Sequence, residues 1–305
     1  MKPAQMMRRQ TPASATRAVI RRTRNAGRSM AADRRLRRIT RDVSRSPRSS
    51  DTAVVVHLHY PEVWPTLVER LSLLPQDLDL FVTVSDPAWG SRDGILRAAP
   101  HARLYRTPNI GRDVLPFIRV AAGLRSAGYS AVLKLHGKRS VHADDGAEFL
   151  DACLEELVPS AEGARRCREL VVDGRAAMVG PASRYYPLAI HVWLNSPDLH
   201  WFLSRRKPQG SAALDEPSRF GFFAGTMFWA NLDRIAECLD VPTRKFEAEL
   251  GQLDGTMAHA LERLFAVVPQ LDGHQVWASD DAGCTPLAND AYTWPAWALR
   301  RPELE

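Results

Sequence analysis

The sequence predicts an α/β fold in which a mainly parallel sheet is flanked by helices, and three observations carry that expectation. Between residues 51 and 140, β-rich apolar runs alternate with segments of helical periodicity in the order strand, helix, strand, helix, strand, helix, strand. The four strand ends are unusually polar, and in doubly wound sheets ligands sit beyond the carboxyl ends of the strands. At 305 residues, with 45% hydrophobic and 25% charged residues, the chain has ample material for a globular core in one large domain or two small ones.

AVVVHLHY (53–60) is the first strand and ends at Pro61, after which EVWPTLVERLSLL has apolar residues at helical spacing, with Pro65 tolerable in its first turn. DLFVTVSD (79–86) is the second strand, followed by the turn-rich PAWGSRDG and a short helical ILRAA. ARLYRTPN (102–109) is the third extended segment, and GRDVLPFIRVAAGLRSAGY suits a helix that begins at Asp113 and stops near Gly128. VLKLHGKRS (132–140) is the fourth strand, expected at the centre of the sheet. It puts Lys134, His136, Lys138 and Ser140 on one side of an extended segment, a row of cations at a strand end.

Further along, GAEFLDACLEELV (146–158) and AEGARRCRELVVDG (161–174) are expected helices, and AAMVGPAS (176–183) a short buried strand. HVWLNSPDLHWFLSRR (191–206) is helical with a Pro break, and KPQGSAALDEPS a polar loop. GFFAGTMFWANLDRIAECL (221–239) suits a buried segment where Gly225 and Thr226 let a ligand or another backbone approach. RKFEAELGQLDGTMAHALERLFAVV (244–268) holds a strong helix whose start is marked by Asp254. Residues 286–305, aromatic and Pro-rich, read as a wrapping tail.

Charge divides the chain. Residues 1–50 hold fifteen Lys or Arg against Asp33 and Asp42, whereas residues 51–305 hold 26 basic and 33 acidic side chains. The first fifty residues therefore form an Arg-rich extension, disordered or weakly helical, in which Val19, Ile20, Met30, Leu36 and Ile39 make a broken apolar stripe. Contact with an anionic membrane surface is one reading, a solvated extension another. An acidic body argues against nucleic acid as partner. No apolar run approaches the roughly 18–20 residues of a membrane span, and the expected location is cytoplasmic, at the inner face of the membrane if the extension binds it. Cys153, Cys167, Cys238 and Cys284 lack zinc-site spacing and read as free buried thiols.

Each polar strand end has a plain reading beside the functional one. His57 and His59 serve equally as satisfied strand-end histidines, Asp86 as a turn cap, Arg112 and Asp113 as helix-start residues, and the lysine row as a solvated edge. Glu249 and Asp254, with Glu247, are the densest carboxylates beside an apolar wall.

Taken in order, HLHYPEVWPTLVERL, DLFVTVSD, PNIGRDVLPFI, VLKLHGKRS, FFAGTMFW and GQLDGTMAHALERL resemble the rhamnan synthesis protein F family, bacterial proteins of rhamnose-containing polysaccharide and O-antigen assembly. The resemblance covers roughly residues 52–280. The same order resembles a GT-A glycosyltransferase, with domain limits at 51–285. It implies that Asp86 contacts nucleoside, that PNIGRDV lies before the helix leading to the metal-binding strand, and that the acidic motif opening the later helix supplies the base. The departure is the fourth strand, which offers Lys134, His136 and Lys138 where an Asp-x-Asp should hold a metal. Asp77-Leu78-Asp79 precedes a strand and reads as a turn; Asp144-Asp145 follows the basic row and is a weak alternative.

The resemblance thus implies transfer of rhamnose or a related deoxysugar from a nucleoside diphosphate donor, dTDP-rhamnose-like, to a polysaccharide or lipid-linked glycan. Inversion without a metal or other cofactor is expected, positioned cations stabilising the leaving diphosphate. Asp254 is the first choice of base and Glu249 the second. His57, His59, Asp86, Asn109, Gly111, Arg112, Asp113, Lys134, His136, Lys138 and Ser140 are the donor-side candidates, and Phe223, Gly225, Thr226 and Trp229 the acceptor side. A non-catalytic carbohydrate-binding or scaffolding component of a synthesis complex is the alternative.

Overall fold

The computed structural model describes residues 30–137, 146–206 and 212–288. The first element, helix α1 over residues 30–44, lies inside the Arg-rich segment. Ala32, Leu36, Ile39 and Val43 recur at helical spacing and are all buried in the core. At roughly 1.5–3 kcal/mol for burying a large aliphatic side chain, this stripe accounts for the docking of the helix. α1 packs close over Gly123, where a Cβ would fall 2.6 Å from the Thr40 carbonyl oxygen. Thr40 Oγ1 donates to the Arg119 carbonyl at 2.8 Å, and Asp33 accepts from Thr243 Oγ1 at 2.6 Å. The expectation of a stripe available to a membrane is therefore corrected for Leu36 and Ile39, which the core already holds; Met30 is exposed, and Val19 and Ile20 lie outside the described residues.

β1 (Thr52–Leu58), α2 (Trp64–Leu71), β2 (Asp79–Ser85), α3 (Arg92–Ala98), β3 (Arg103–Thr107), α4 (Val114–Ser126) and β4 (Ala131–Gly137) follow in the expected alternation. Pro65 falls in the first turn of α2, where its missing N–H costs nothing. After β4 come α5 (Gly146–Leu157), α6 (Ala161–Val172), β5 (Met178–Pro181), β6 (Tyr185–Pro187), α7 (Ser196–Leu203), α8 (Ala212–Asp215), β7 (Gly221–Phe223), β8 (Phe228–Asn231), α9 (Ala236–Leu239), α10 (Met257–Leu271), β9 (Val276–Asp280) and β10 (Gly283–Pro286).

The described strands build an eight-stranded sheet in the order β10-β9-β5-β8-β4-β1-β2-β3, with β6 and β7 paired separately. β1 runs parallel to β2 and β4, β2 to β3, and β5 to β9. β8 is antiparallel to both β4 and β5, and β10 to β9. The sheet is mixed and mostly parallel, and β4 is central. One face, with Ala53, Val55, Phe81 and Val132, packs under α1, α4 and α10; the other, with Val54, Val56, Val82 and Leu133, packs under α2, α3, α5 and α6. No described helix is long and apolar enough to cross a membrane.

Several local expectations change, the first being the expected polar loop at 207–218, whose described part holds the short α8. The segment at 221–239 is two strands, a turn at Gly225 and Thr226, which both take positive φ, and the short α9. The cap of α10 is Thr256, whose side chain accepts from His259 N, and not Asp254, which lies before it. The hairpin of β9 and β10 carries residues through 286, where a wrapping tail was expected to begin; residues 289–305 of that tail lie outside the described residues.

Candidate functional site

β2 and β3 extend the sheet to one side of β1, and β4 lies on the other, so the strand order reverses between β1 and β4. The carboxyl ends of those two strands are where an open α/β sheet forms its crevice. His57 and His136 are direct partners there, and side chains two apart share a face, so Lys134, His136, His57 and Thr83 all point toward α4 and α10.

Lys134 is 1% exposed. Its ammonium donates to Asp113 Oδ2 at 2.5 Å and to the Thr226 carbonyl at 2.6 Å, and lies over the rings of Phe117 and Phe228. A buried ammonium requires such a partner. Burial would raise the Asp113 carboxyl, but the charge of Lys134, with that of His136, outweighs it and holds the group below the usual carboxylate range. His136 is buried beside it, with Nε2 against the Gly225 carbonyl and 4.0 Å from Asp113 Oδ2. A carbonyl only accepts, so Nε2 carries the proton. His57 Nδ1 meets Thr83 Oγ1 at 2.9 Å; burial above all pushes His57 down to about 3, leaving it neutral. His59 Nδ1 meets Ser85 Oγ at 2.9 Å.

The turn between β7 and β8 locks this row to α10. Gly225 has φ +96° and Thr226 φ +57°. A Cβ on Gly225 would lie 2.4 Å from Phe149 Cζ, so the position requires glycine for space as well as backbone. Both carbonyls of the turn face β4, toward His136 and Lys134, while Gly225 N donates to Glu262 Oε1 at 2.6 Å.

Arg112, after Gly111, also stands at positive φ. Its Nε donates to Glu249 Oε2 at 2.7 Å, Nη2 to the Gln252 carbonyl at 2.5 Å, and Nη1 to His259 Nε2 at 2.7 Å. A guanidinium only donates, so His259 Nε2 accepts, and its Nδ1–H goes to Thr256 Oγ1 at 2.8 Å. Burial, opposed by Glu262 and reinforced by Arg112 and Arg263, pushes His259 down to about 4.

Both candidate bases are ion-paired. Asp254, 25% exposed, accepts from Asn195 Nδ2 at 3.0 Å and lies 3.3 Å from Arg263 Nη2. Burial raises its carboxyl, but Arg263 and the Asn195 bond more than offset it, and the net shift is downward. Glu249 behaves likewise, burial being outweighed by Arg112. Arg263 also holds Glu262 Oε2 at 2.6 Å. Arg112, Asp113, His136, Thr226, His259 and Glu262 surround a pocket of about 30 Å³ between the starts of α4 and α10.

The structure thus brings Arg112, Asp113, His136, Gly225 and Thr226 together, with Glu249 and Asp254 one ion pair away. Lys134 is the base of this cluster and turned inward. That corrects the expectation of an ammonium facing a diphosphate: the ammonium serves the protein interior, donating to Asp113 and to the Thr226 carbonyl. Phe223 and Trp229 are corrected as an acceptor wall, since both are buried; Trp229 Nε1 donates to the Leu157 carbonyl at 3.0 Å, and Phe223 packs on Gly180 and Tyr185. Asp86, at the end of β2, pairs with Arg35 of α1 at 2.8 Å and Arg106 at 2.6 Å. Asn109 contributes a backbone carbonyl that accepts from Glu249 N, and Gly111 donates its N–H to the Glu247 carbonyl. Asp79 sits at the opposite end of β2, bonded to Ser49 N, Tyr129 and Arg103, a structural role. Lys138, Ser140, Asp144 and Asp145 lie outside the described residues, among which no group of three or more His, Cys, Asp or Glu is placed to hold a metal. His259 was not among the expected residues; its i, i+3 spacing to Glu262 and i, i+4 spacing to Arg263 in MAHALER is the signal that points to it.

Fold and site together define an α/β protein with a polar crevice at the switch point of its sheet. Comparison with known proteins narrows this: rhamnan synthesis protein F matches residues 19–274, and the chain belongs to that family, which implies a role in polysaccharide synthesis. The match begins inside the Arg-rich segment, earlier than residue 52, in keeping with the docking of α1. The chain is also similar to the uncharacterized protein WxcX of Xanthomonas campestris pv. campestris from two strains, each 31% identical over 242 residues. These alignments cover 77% of this chain and 34% of each relative, so the chain spans about a third of their length.

Proposed function

We propose that the chain is a glycosyltransferase of the GT-A kind, moving rhamnose or a related deoxysugar from a nucleoside diphosphate donor to a polysaccharide or lipid-linked glycan, with inversion and without a metal. The observation that carries this reading is the polar cluster at the carboxyl ends of β1 and β4, where Arg112, His136 and His259 lie against the carboxylates of Glu249, Asp113 and Asp254 beside the starts of two helices. Lys134 and Asp113 act as positioning residues beneath the donor, and Lys138 and Ser140, just beyond the strand, are the proposed diphosphate contacts. Arg112 reaches the diphosphate by exchanging Glu249 for it, a substitution of one anion for another. Asp254, kept ionised by Arg263, takes the acceptor proton, and Glu249 is the second choice. Membrane contact, if made through residues 1–50, is electrostatic in α1, whose outward side carries Arg34, Arg37, Arg38 and Arg41.

The non-catalytic carbohydrate-binding reading is favoured by one observation, that both candidate bases are held by arginines. One experiment separates the two. The protein is incubated with a set of deoxysugar nucleotides and a rhamnosylated acceptor, with and without EDTA, and release of nucleoside diphosphate is followed. The glycosyltransferase reading expects turnover unaffected by EDTA and lowered about 10²–10⁴-fold in Asp254→Asn. No turnover with any donor would overturn it in favour of the binding protein.

A further inference from the structure

On the face of the sheet away from the pocket, α6 and the edge strand β10 bring two thiols together that are 117 residues apart in sequence. Cys167 Sγ lies 3.3 Å from Cys284 Sγ, and the Ser279 hydroxyl is 3.5 Å from the first and 3.8 Å from the second. A disulfide needs about 2.05 Å between sulfurs, a closure that a small shift of an edge strand supplies. Cys167 is buried as expected, whereas the expectation of burial is corrected for Cys284, which is partly exposed on the edge strand, so the two differ in access to a reagent.

We propose that Cys284 and Cys167 form a reactive dithiol site for hydroperoxides, with Cys284 the attacking thiolate and Cys167 the resolving thiol. The surroundings support this division. Either thiol can donate in the bond between them; with Cys167 as the donor that bond, against burial, lowers the Cys284 thiol to about 7, helped by Ser279 and the Arg166 guanidinium, and raises Cys167. In the first step the Cys284 thiolate attacks one peroxide oxygen, the O–O bond breaks, and the leaving oxygen takes a proton to depart as water or alcohol. Cys284 is then a sulfenic acid. In the second step the Cys167 sulfur attacks the Cys284 sulfur, the S–O bond breaks, and hydroxide leaves with the Cys167 proton as water. Two thiols and one peroxide thus give one disulfide, which ties β10 to α6 and is reversed by a dithiol reductant. The site is independent of the activity proposed for the pocket.

The test treats the reduced protein with limiting hydrogen peroxide, counts free thiols and maps peptides without reduction. The expected result is loss of two of the four thiols, a single Cys167–Cys284 cross-link, and recovery of both thiols with dithiothreitol. Cys167→Ala should give no cross-link and should accumulate a dimedone adduct at Cys284, whereas Cys284→Ser should leave Cys167 reduced. Cross-links to Cys153 or Cys238, or equal dimedone labelling of Cys284 in wild type and Cys167→Ala, would overturn the proposal, as would a Cys284 that stays reduced.

Discussion

At the scale of single residues, the Asp113–Lys134 pair decides how the strand end is built. Each charge is buried because the other is there, so removing one strands its partner in a poorly solvating place. Asp113→Asn and Lys134→Met are each expected to lose about 3–5 kcal/mol in urea denaturation. The double substitution should lose clearly less than the sum of the two, since no unpaired charge remains. Additive losses would mean that the two groups are not coupled.

The buried histidines make a second residue-scale prediction. His57 and His259 have folded values near 3 and 4 against an ordinary 6.5, so between pH 6.5 and 4 the unfolded chain binds protons that the folded chain does not. Stability from these groups is therefore present above pH 6.5 and falls as pH drops toward 4, by about 3 kcal/mol for each histidine. The lowered carboxyls of Asp113, Glu249 and Asp254 add a further loss below the ordinary carboxylate range, as pH falls through their folded values. Denaturant midpoints across this window check the sign, and in His259→Gln the decline between pH 6.5 and 4 should be shallower.

At the scale of elements, α1 shows what sequence composition conceals. Its arginines dominate any average over the first fifty residues, yet four apolar positions suffice to dock it. Leu36→Ala should cost about 2–5 kcal/mol, and Arg38→Gln or Arg41→Gln less than about 0.5 kcal/mol, in thermal or urea unfolding. Elements whose local pattern and tertiary setting agree were readable: β1 to β4 with their helices, the Asp113 start of α4, and the helices at 146–157 and 161–172 all follow from periodicity and turn residues. The antiparallel entry of β8 beside β4 was not readable, because it depends on Gly225 and Thr226 turning the chain against Phe149, a contact distant in sequence. The same holds within the pocket. Residue type pointed to Arg112, Asp113 and His136, but only the packed structure shows that Lys134 faces inward and that His259 accepts from Arg112.

At the scale of the whole molecule, the two ends of the parallel strands differ in kind. The amino end of β2 is closed by Asp79 with Tyr129 and Arg103, a set that fastens the segment leading into β1 to the sheet. The carboxyl ends of β1 and β4 gather groups whose charge and tautomer are fixed around a small opening, framed by the starts of α4 and α10. A nucleoside diphosphate bound as proposed lies at this second end, and hydrogen exchange of the protein with and without dTDP is the check. Slower exchange is expected at residues 57–60, 111–117, 135–137 and 255–261, with the segment around Asp79 and Arg103 unchanged. Protection confined to the Asp79 end, or no protection at saturating nucleotide, would contradict it.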